Sequence, residues 1–324
     1  MGKLNNRFKK SFFIVNKIYL LLIIFFLFIA NAALGFIGFL FTLATYIINI
    51  FKSKIPIEVS GDFHYDTHVY KVTNKEKLKM DIWYPNKNSN SYPVVYFAHG
   101  GGWISGFRNQ PNNVSWCKFL ASKGFAVVSI DYRYGLKNHM EDILLDYSHG
   151  LKFIRTRYKE LNLDINNIIT MGLSAGGHLT LLYSAYNSYK QTSNMKGIKG
   201  VVAYYSPSDL TDIFDDDNKS LFARFATKKT LDGDPKENID LYRLYSPINW
   251  ISSNMVKTLV VHGKEDTVVP FRSSVKLINK FKDFNIDYRF LSHTKGDHTF
   301  EFKLKDYKTV KIIEETVKFM RSCI

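Results

Sequence analysis

Three residues with the chemistry of a nucleophilic catalyst lie far apart in this chain, each just beyond a short apolar run. Ser174 sits in Gly172-Leu173-Ser174-Ala175-Gly176-Gly177-His178, after Ile168-Ile169-Thr170-Met171 and before Leu179-Thr180-Leu181-Leu182-Tyr183. Asp266 follows Thr258-Leu259-Val260-Val261, and His298 follows the run 288–291. A serine hydroxyl is a weak nucleophile until a base takes its proton. Imidazole suits that task near neutral pH. A carboxylate can hold the required tautomer and stabilise the imidazolium. The order serine, acid, histidine therefore implies attack on a carbonyl carbon. His293 and Glu265 are the competing base and acid. His298 is preferred for its place before Thr299-Phe300, and Asp266 is preferred to its neighbour.

The serine stretch reads as strand, tight turn, helix. Such a turn holds its apex serine in a strained conformation that points the hydroxyl out of the sheet. Side chains two positions either side would strike neighbouring backbone, which explains Gly172 and Gly176. The Ala175 amide opens a helix and can face a developing oxyanion. A second cradle is His99-Gly100-Gly101-Gly102-Trp103, which ends the apolar strand 93–98. Three successive glycines expose backbone amides, and those of Gly101 and Gly102 are assigned to an oxyanion hole. His99 is expected to brace the loop, and Trp103 to line the pocket. His178 and His262 are expected to pack or to brace loops.

The elements that must position these groups alternate. Strands are expected over 63–72, 78–84, 93–98, 125–130, 168–171, 200–204, 258–261 and 288–291. The first two suit a half-exposed antiparallel pair. Helices are expected over 113–123, 139–161, 273–284 and 302–321, the second with Ile143, Leu144, Tyr147, Leu151 and Ile154 on one face. Strands alternating with helices indicate a largely parallel sheet covered on both faces. Residues 207–251 break the rhythm and read as a cap over the pocket. The carboxylates of Asp215, Asp216 and Asp217 fit a solvated loop better than a cation site. His64 and His68, four apart in a strand, do not converge on a metal. Asp131 and Arg133 suit either bracing near the site or the surface.

Composition narrows the setting. The chain has 324 residues and a net charge of +15. Two cysteines, Cys117 and Cys323, exclude a disulfide framework. Residues 1–57 hold Lys3, Arg7, Lys9, Lys10, Lys17, Lys52 and Lys54 and no acid. These cations flank an uncharged apolar run, residues 18–51, long enough to cross a bilayer. A membrane with anionic lipid is thus a better partner than nucleic acid. Residues 1–17 read as a basic segment and 18–51 as one tilted transmembrane helix. A hairpin turning near residues 31–35 is a second reading, and a signal peptide cleaved at Ala30-Asn31-Ala32 a third. The cation bias places the N-terminus in the cytoplasm and residues 58–324 outside.

Together His99-Gly100-Gly101-Gly102-Trp103, Asp131-Tyr132-Arg133, the Ser174 turn, His262-Gly263 with Asp266 and Val269-Pro270, and Gly296-Asp297-His298-Thr299-Phe300 carry a resemblance. Residues from about 58 to the end are similar to the α/β-hydrolase superfamily. In particular they resemble carboxylesterases like hormone-sensitive lipase and the bacterial acetyl esterases. The resemblance implies a cap insertion and an acyl-enzyme mechanism on carboxylic esters, with no metal or cofactor. A short- to medium-chain ester, small-molecule or lipid, is the expected substrate. Amide hydrolysis (an arylformamidase or peptidase), acyl transfer, and a catalytically silent binding protein are the alternatives. The membrane segment departs from the usual soluble members.

Overall fold

Runs of valine, isoleucine and alanine bounded by turn residues pair into one eight-stranded sheet in this computed structural model. It describes residues 19–26, 35–41, 53–74, 76–87 and 89–324. The chain divides into two compact units, Met1–Ser53 and Lys54–Ile324.

In the second unit the strands are β1 (Tyr65–Val72), β2 (Lys77–Trp83), β3 (Tyr92–Ala98), β4 (Ala126–Ile130), β5 (Leu163–Leu173), β6 (Ile198–Tyr204), β7 (Lys257–Gly263) and β8 (Tyr288–His293). Their order across the sheet is β1-β2-β4-β3-β5-β6-β7-β8. The β1–β2 and β2–β4 pairs are antiparallel, and every later pair is parallel. Parallel strands are buried on both faces and read as continuous apolar runs; all five residues of β4 are buried. No residue of the edge strand β1 is buried.

Helices α1 (Pro111–Ser122), α2 (Met140–Thr156), α3 (Ala175–Tyr189), α4 (Leu221–Thr230), α5 (Pro235–Leu244), α6 (Phe271–Asp283), α7 (Phe300–Lys303) and α8 (Tyr307–Arg321) complete the unit. On one face of the sheet, Trp116, Phe119 and Leu120 of α1 and Ile313, Val317 and Met320 of α8 pack on Val95, Phe97, Met171 and Val261. On the other, α2 and α3 cover Val94, Tyr96, Val128 and Ile168, and α6 covers Val201 and Val260. This is the α/β-hydrolase fold, with helices on both faces of a mostly parallel sheet.

The connection from β3 to β4 and that from β4 to β5 depart in opposite directions along the sheet. A crevice opens where strand order reverses in this way. It lies between β3 and β5, the strands that end in the glycine-rich loop and in Ser174. Between β6 and β7 the chain leaves the sheet as α4, α5 and two short 3-10 turns, Leu210–Phe214 and Pro247–Trp250.

The strand expected over 168–171 begins already at Leu163, and two helices also differ from expectation by more than two residues. The helix expected over 139–161 ends at Thr156, and β5 begins at Leu163. Residues between them turn back so that Tyr92 can pair with Leu163. The closing helix expected over 302–321 is split into α7 and α8, because the Asp306 side chain caps a new helix by accepting from the Thr309 amide at 2.8 Å.

In the first unit, residues 19–26 and 35–41 are helical. Among the described residues no helix is long and apolar enough to cross a membrane. The remainder of the span expected over 18–51 lies outside the described residues, as does the whole basic segment expected over 1–17.

Candidate active site

Ser174 stands at the apex between β5 and α3 with φ 52° and ψ −116°. A residue with a Cβ holds such a conformation at a cost of about 1–3 kcal/mol, so the surroundings must impose it. They do so by close approach. A Cβ on Gly172 would lie 2.2 Å from the Gly176 backbone, and one on Gly176 would lie 2.1 Å from the Ala98 carbonyl oxygen. The Ser174 amide is pinned to the Tyr204 carbonyl at 2.9 Å.

His298 lies beyond β8, and its Nε2 is 3.0 Å from Ser174 Oγ. Its Nδ1 is 2.8 Å from Asp266 Oδ2. Asp266 lies in the loop after β7, and its side chain is fully buried. The other carboxylate oxygen, Oδ1, accepts the Val268 and Val269 amides, each at 2.8 Å. Burial alone would push this carboxyl up, but the His298 charge and hydrogen bonds from His262 and His298 outweigh it and hold it well below the usual range. Asp266 is therefore ionised, and Nδ1–H of His298 donates to it. That tautomer leaves Nε2 with a lone pair for the serine proton.

A further layer supports this pair. His262 Nε2 is 3.1 Å from Asp266 Oδ2, and its Nδ1 is 2.7 Å from Ser274 Oγ. His262, expected to pack or brace a loop, thus braces the acid itself. The Tyr205 ring meets His298 edge-on, with centroids 4.7 Å apart, and its hydroxyl donates to Glu301 Oε1 at 2.6 Å. Glu301 is fully buried and its Oε2 meets no donor among the described residues. Burial pushes its carboxyl up to about 7. Tyr205 and Glu301 belong to no motif that the sequence displays. The available signal was position: Tyr205 directly follows β6 at the end of the sheet where the other groups gather, and Glu301 lies three residues past His298.

His293, the competing base, points elsewhere, its Nε2 lying 3.2 Å from both carboxylate oxygens of Asp306. The Glu265 amide is engaged with the Gly296 carbonyl at 2.9 Å, and the carboxylate that meets His298 is that of Asp266.

On the opposite side of Ser174 lies the glycine-rich loop. Gly101 has φ 126°, and a Cβ there would fall 2.0 Å from the Ser105 carbonyl oxygen. The loop is folded by the Ile104 and Ser105 amides, which both donate to the Gly101 carbonyl. Among the described residues the amides of Gly101, Gly102 and Ala175 meet no acceptor. His99 braces the loop, with Nδ1 2.7 Å from the Gly100 carbonyl oxygen. Its ring stacks on Tyr132 at 4.2 Å, and the Tyr132 hydroxyl donates to the His99 carbonyl at 2.8 Å. Burial lowers the His99 pKa, which keeps the ring neutral. Asp131 holds the Arg108 guanidinium at 2.6 Å, and Arg133 pairs with Asp146 at 2.7 Å and Asp142 at 3.0 Å; both pairs tie the following loop in place.

Gly102, Trp103, Ser174 and Ala175 share a cleft with Phe222, Ala226 and Val269. Its volume is about 20 Å³, room for about one water molecule. Trp103 forms one wall, with its ring edge-on to His178 at 5.0 Å. His178 Nε2–H donates to the Tyr245 carbonyl at 2.7 Å, and burial lowers its pKa to about 4, so it too is neutral. The acidic run is taken up by Arg272, which bonds Asp215 at 2.7 Å and also Asp217. Among the described residues no cluster of three or more His, Cys, Asp or Glu is arranged to hold a metal.

Comparison with known proteins adds three findings. The BD-FAE family model matches residues 80–281. Esterase LipC of Mycobacterium tuberculosis (strain ATCC 25618 / H37Rv) is 26% identical over 216 residues, 63% of this chain and 52% of that protein. Isoprenylcysteine alpha-carbonyl methylesterase ICME of Arabidopsis thaliana is 27% identical over 211 residues, 61% of this chain and 48% of that protein. This chain therefore spans about half the length of these curated relatives. Among solved structures, a truncated form of a carbohydrate esterase from gut microbiota superposes with a TM-score of 0.69 at 23% identity, covering 83% of this chain and 99% of that one. That likeness is one of fold.

Proposed function

Since this chain belongs to the BD-FAE family, we propose that it is a serine carboxylesterase that cleaves its substrate through an acyl-enzyme. The observation that carries the reading is the unbroken hydrogen-bonded series from Ser174 Oγ through His298 to Asp266. LipC and ICME, whose names are those of ester hydrolases, support the choice of bond.

In this reading Ser174 Oγ attacks the ester carbonyl as His298 Nε2 takes its proton. The carbonyl oxygen becomes an oxyanion in the reach of the Gly101, Gly102 and Ala175 amides. Collapse expels the alcohol, which leaves with the proton held on His298. Water then attacks the acyl-enzyme with His298 again as base, releasing the carboxylic acid and restoring Ser174. Asp266, ionised throughout, stabilises the imidazolium at each stage. The narrow cleft beneath Phe222 favours a short acyl group. Residues 18–51 tether the protein to a membrane with the catalytic domain on the outer side; the uncharged run and its flanking cations support that placement.

The test is turnover of a dissolved p-nitrophenyl ester series by the full chain and by Ser174→Ala. Activity that falls about 10⁴- to 10⁶-fold in the variant is the expected result. Equal turnover by both proteins refutes the reading. Paired anilide substrates decide between ester and amide cleavage.

A further inference from the structure

Helix α4 (Leu221–Thr230) is patterned in reverse. Its small residues, Ala223, Ala226, Thr227 and Thr230, are buried against the rest of the domain. Its large apolar residues face outward, Leu221 at 81% exposure, Phe222 at 49% and Phe225 at 50%. A helix resting on a water-soluble surface normally turns its large apolar side chains inward. The pattern found here costs hydration free energy unless something apolar covers the outer face.

The exposed face belongs to a larger collar. Phe222 reaches across to the glycine-rich loop, its Cζ 3.0 Å from where a Cβ on Gly102 would stand. At the other end of α4, Thr230 packs against Gly135. The Gly135 amide donates to the Trp103 carbonyl at 2.8 Å, and the Tyr134 hydroxyl donates to the Gly106 carbonyl. These ties hold in place the segments that carry the exposed Phe107 and Leu136. Of the outward apolar side chains of α4, Phe222 also lines the cleft that holds Ser174.

Charge selects the occupant. Residues 219–230 contain Lys219, Arg224, Lys228 and Lys229 and no acid. Lys228 is paired with Asp234 at 3.4 Å. The Arg224 guanidinium bonds the Asp215 and Asn218 carbonyls and lies over the Phe214 ring at 5.9 Å, and among the described residues no carboxylate pairs with it. Of the nearby acids, Asp215 and Asp217 are occupied by Arg272, while Asp216 and Asp232 oppose. A short basic helix with aromatic and leucine residues outward has the character of an interfacial element on anionic lipid. The uncharged run 18–51, bordered by cations, points to the same surroundings.

We infer that the α4 collar docks on an anionic lipid surface, so that the cleft opens onto the bilayer and receives esters carried in it. The inference rests on the hydrolase reading for its substrate and on the collar alone for its docking.

The experiment reconstitutes the full chain in phosphatidylglycerol–phosphatidylcholine vesicles carrying a fluorogenic ester whose acyl group is short and whose alcohol carries the long chain that holds it in the bilayer. Turnover of that ester and of dissolved p-nitrophenyl acetate is compared for the natural sequence and for Leu221→Asp/Phe225→Asp. Loss of about tenfold or more on the vesicle ester is expected, with the dissolved ester within about twofold. Equal turnover of the vesicle ester overturns the inference. A second variant, Leu221→Trp, reads docking without activity. Read as the difference from the natural sequence, which has four tryptophans of its own, its added emission is quenched by brominated phosphatidylglycerol if the collar docks, and unquenched added emission overturns the inference even should both substrates be lost in the aspartate variant. If neither ester is cleaved by the natural sequence while Leu221→Trp is quenched, the hydrolase reading fails and the docking stands. Self-association in detergent that vanishes in the aspartate variant assigns the face to a second copy and contradicts the lipid.

Discussion

The two sides of Ser174 are built by opposite means. On the base side each polar side-chain atom of His298 and Asp266 is engaged. Asp266 receives His298, His262 and two backbone amides; the first of these bonds orients the imidazole directly and the others fix the carboxylate that holds it. On the oxyanion side the working groups are amides without acceptors, exposed because glycine supplies no side chain. One side is fixed by satisfying hydrogen bonds and the other by leaving them open. Electrostatic preorganisation needs both: a base that is already oriented, and donors that need not first be stripped of a partner.

The largest effect that would separate the two sides is expected at Asp266→Asn. It keeps the size of the side chain but removes the charge and inverts the tautomer logic at His298, so kcat should fall about 10⁴-fold. A fall under tenfold would mean that His262 or another group supplies the orientation. Next is Gly101→Ala, which forces a Cβ to within 2.0 Å of the Ser105 carbonyl and displaces the adjoining amide. A loss of about 10²- to 10³-fold in kcat is expected. Unchanged turnover would remove the loop from the oxyanion hole.

The smallest effect is expected behind the base, at Glu301→Gln. Burial raises this carboxyl from its ordinary value near 4.5 to about 7 in the folded chain. The native state then holds a proton that the unfolded chain releases, so its contribution to stability is full below about 4.5 and is lost as pH rises through about 7. Thermal unfolding across that window should show the natural chain losing stability relative to Glu301→Gln with rising pH, by an amount on the order of 3 kcal/mol at about 1.36 kcal/mol per pKa unit. Parallel curves for the two proteins would contradict the assignment of a neutral buried acid at low pH.

How much of this was readable beforehand follows the same division. Positions governed by local backbone geometry were legible. The Ser174 turn needs Gly172 and Gly176 wherever it occurs, and the glycine loop after β3 needs residues free of Cβ. The meeting of Ser174, Asp266 and His298 followed from strand ends, since the parallel strands of one sheet present their C-terminal ends together. Contacts made only by tertiary packing were not legible. His262 looks the same in sequence whether it fills space or braces a carboxylate. Tyr205 and Glu301 are 96 residues apart in the chain and share no spacing signature. The choice of His298 over His293 rested on a neighbouring Thr-Phe pair, whereas the physical reason lies in Asp306, which engages His293 and at the same time starts α8. The end of α2 was misjudged because apolar residues continue to Leu161, whereas residues 157–161 form the turn that leads into β5.

The most direct test of the relay is covalent. A fluorophosphonate reacts with a serine only where a base activates it and an oxyanion site receives the charge. Peptide mass mapping of the labelled full chain is predicted to place a single adduct on Ser174, with the labelling rate cut at least about 10³-fold in His298→Gln. An adduct on another residue, or labelling of Ser174 at the same rate without the His298 imidazole, would contradict the account.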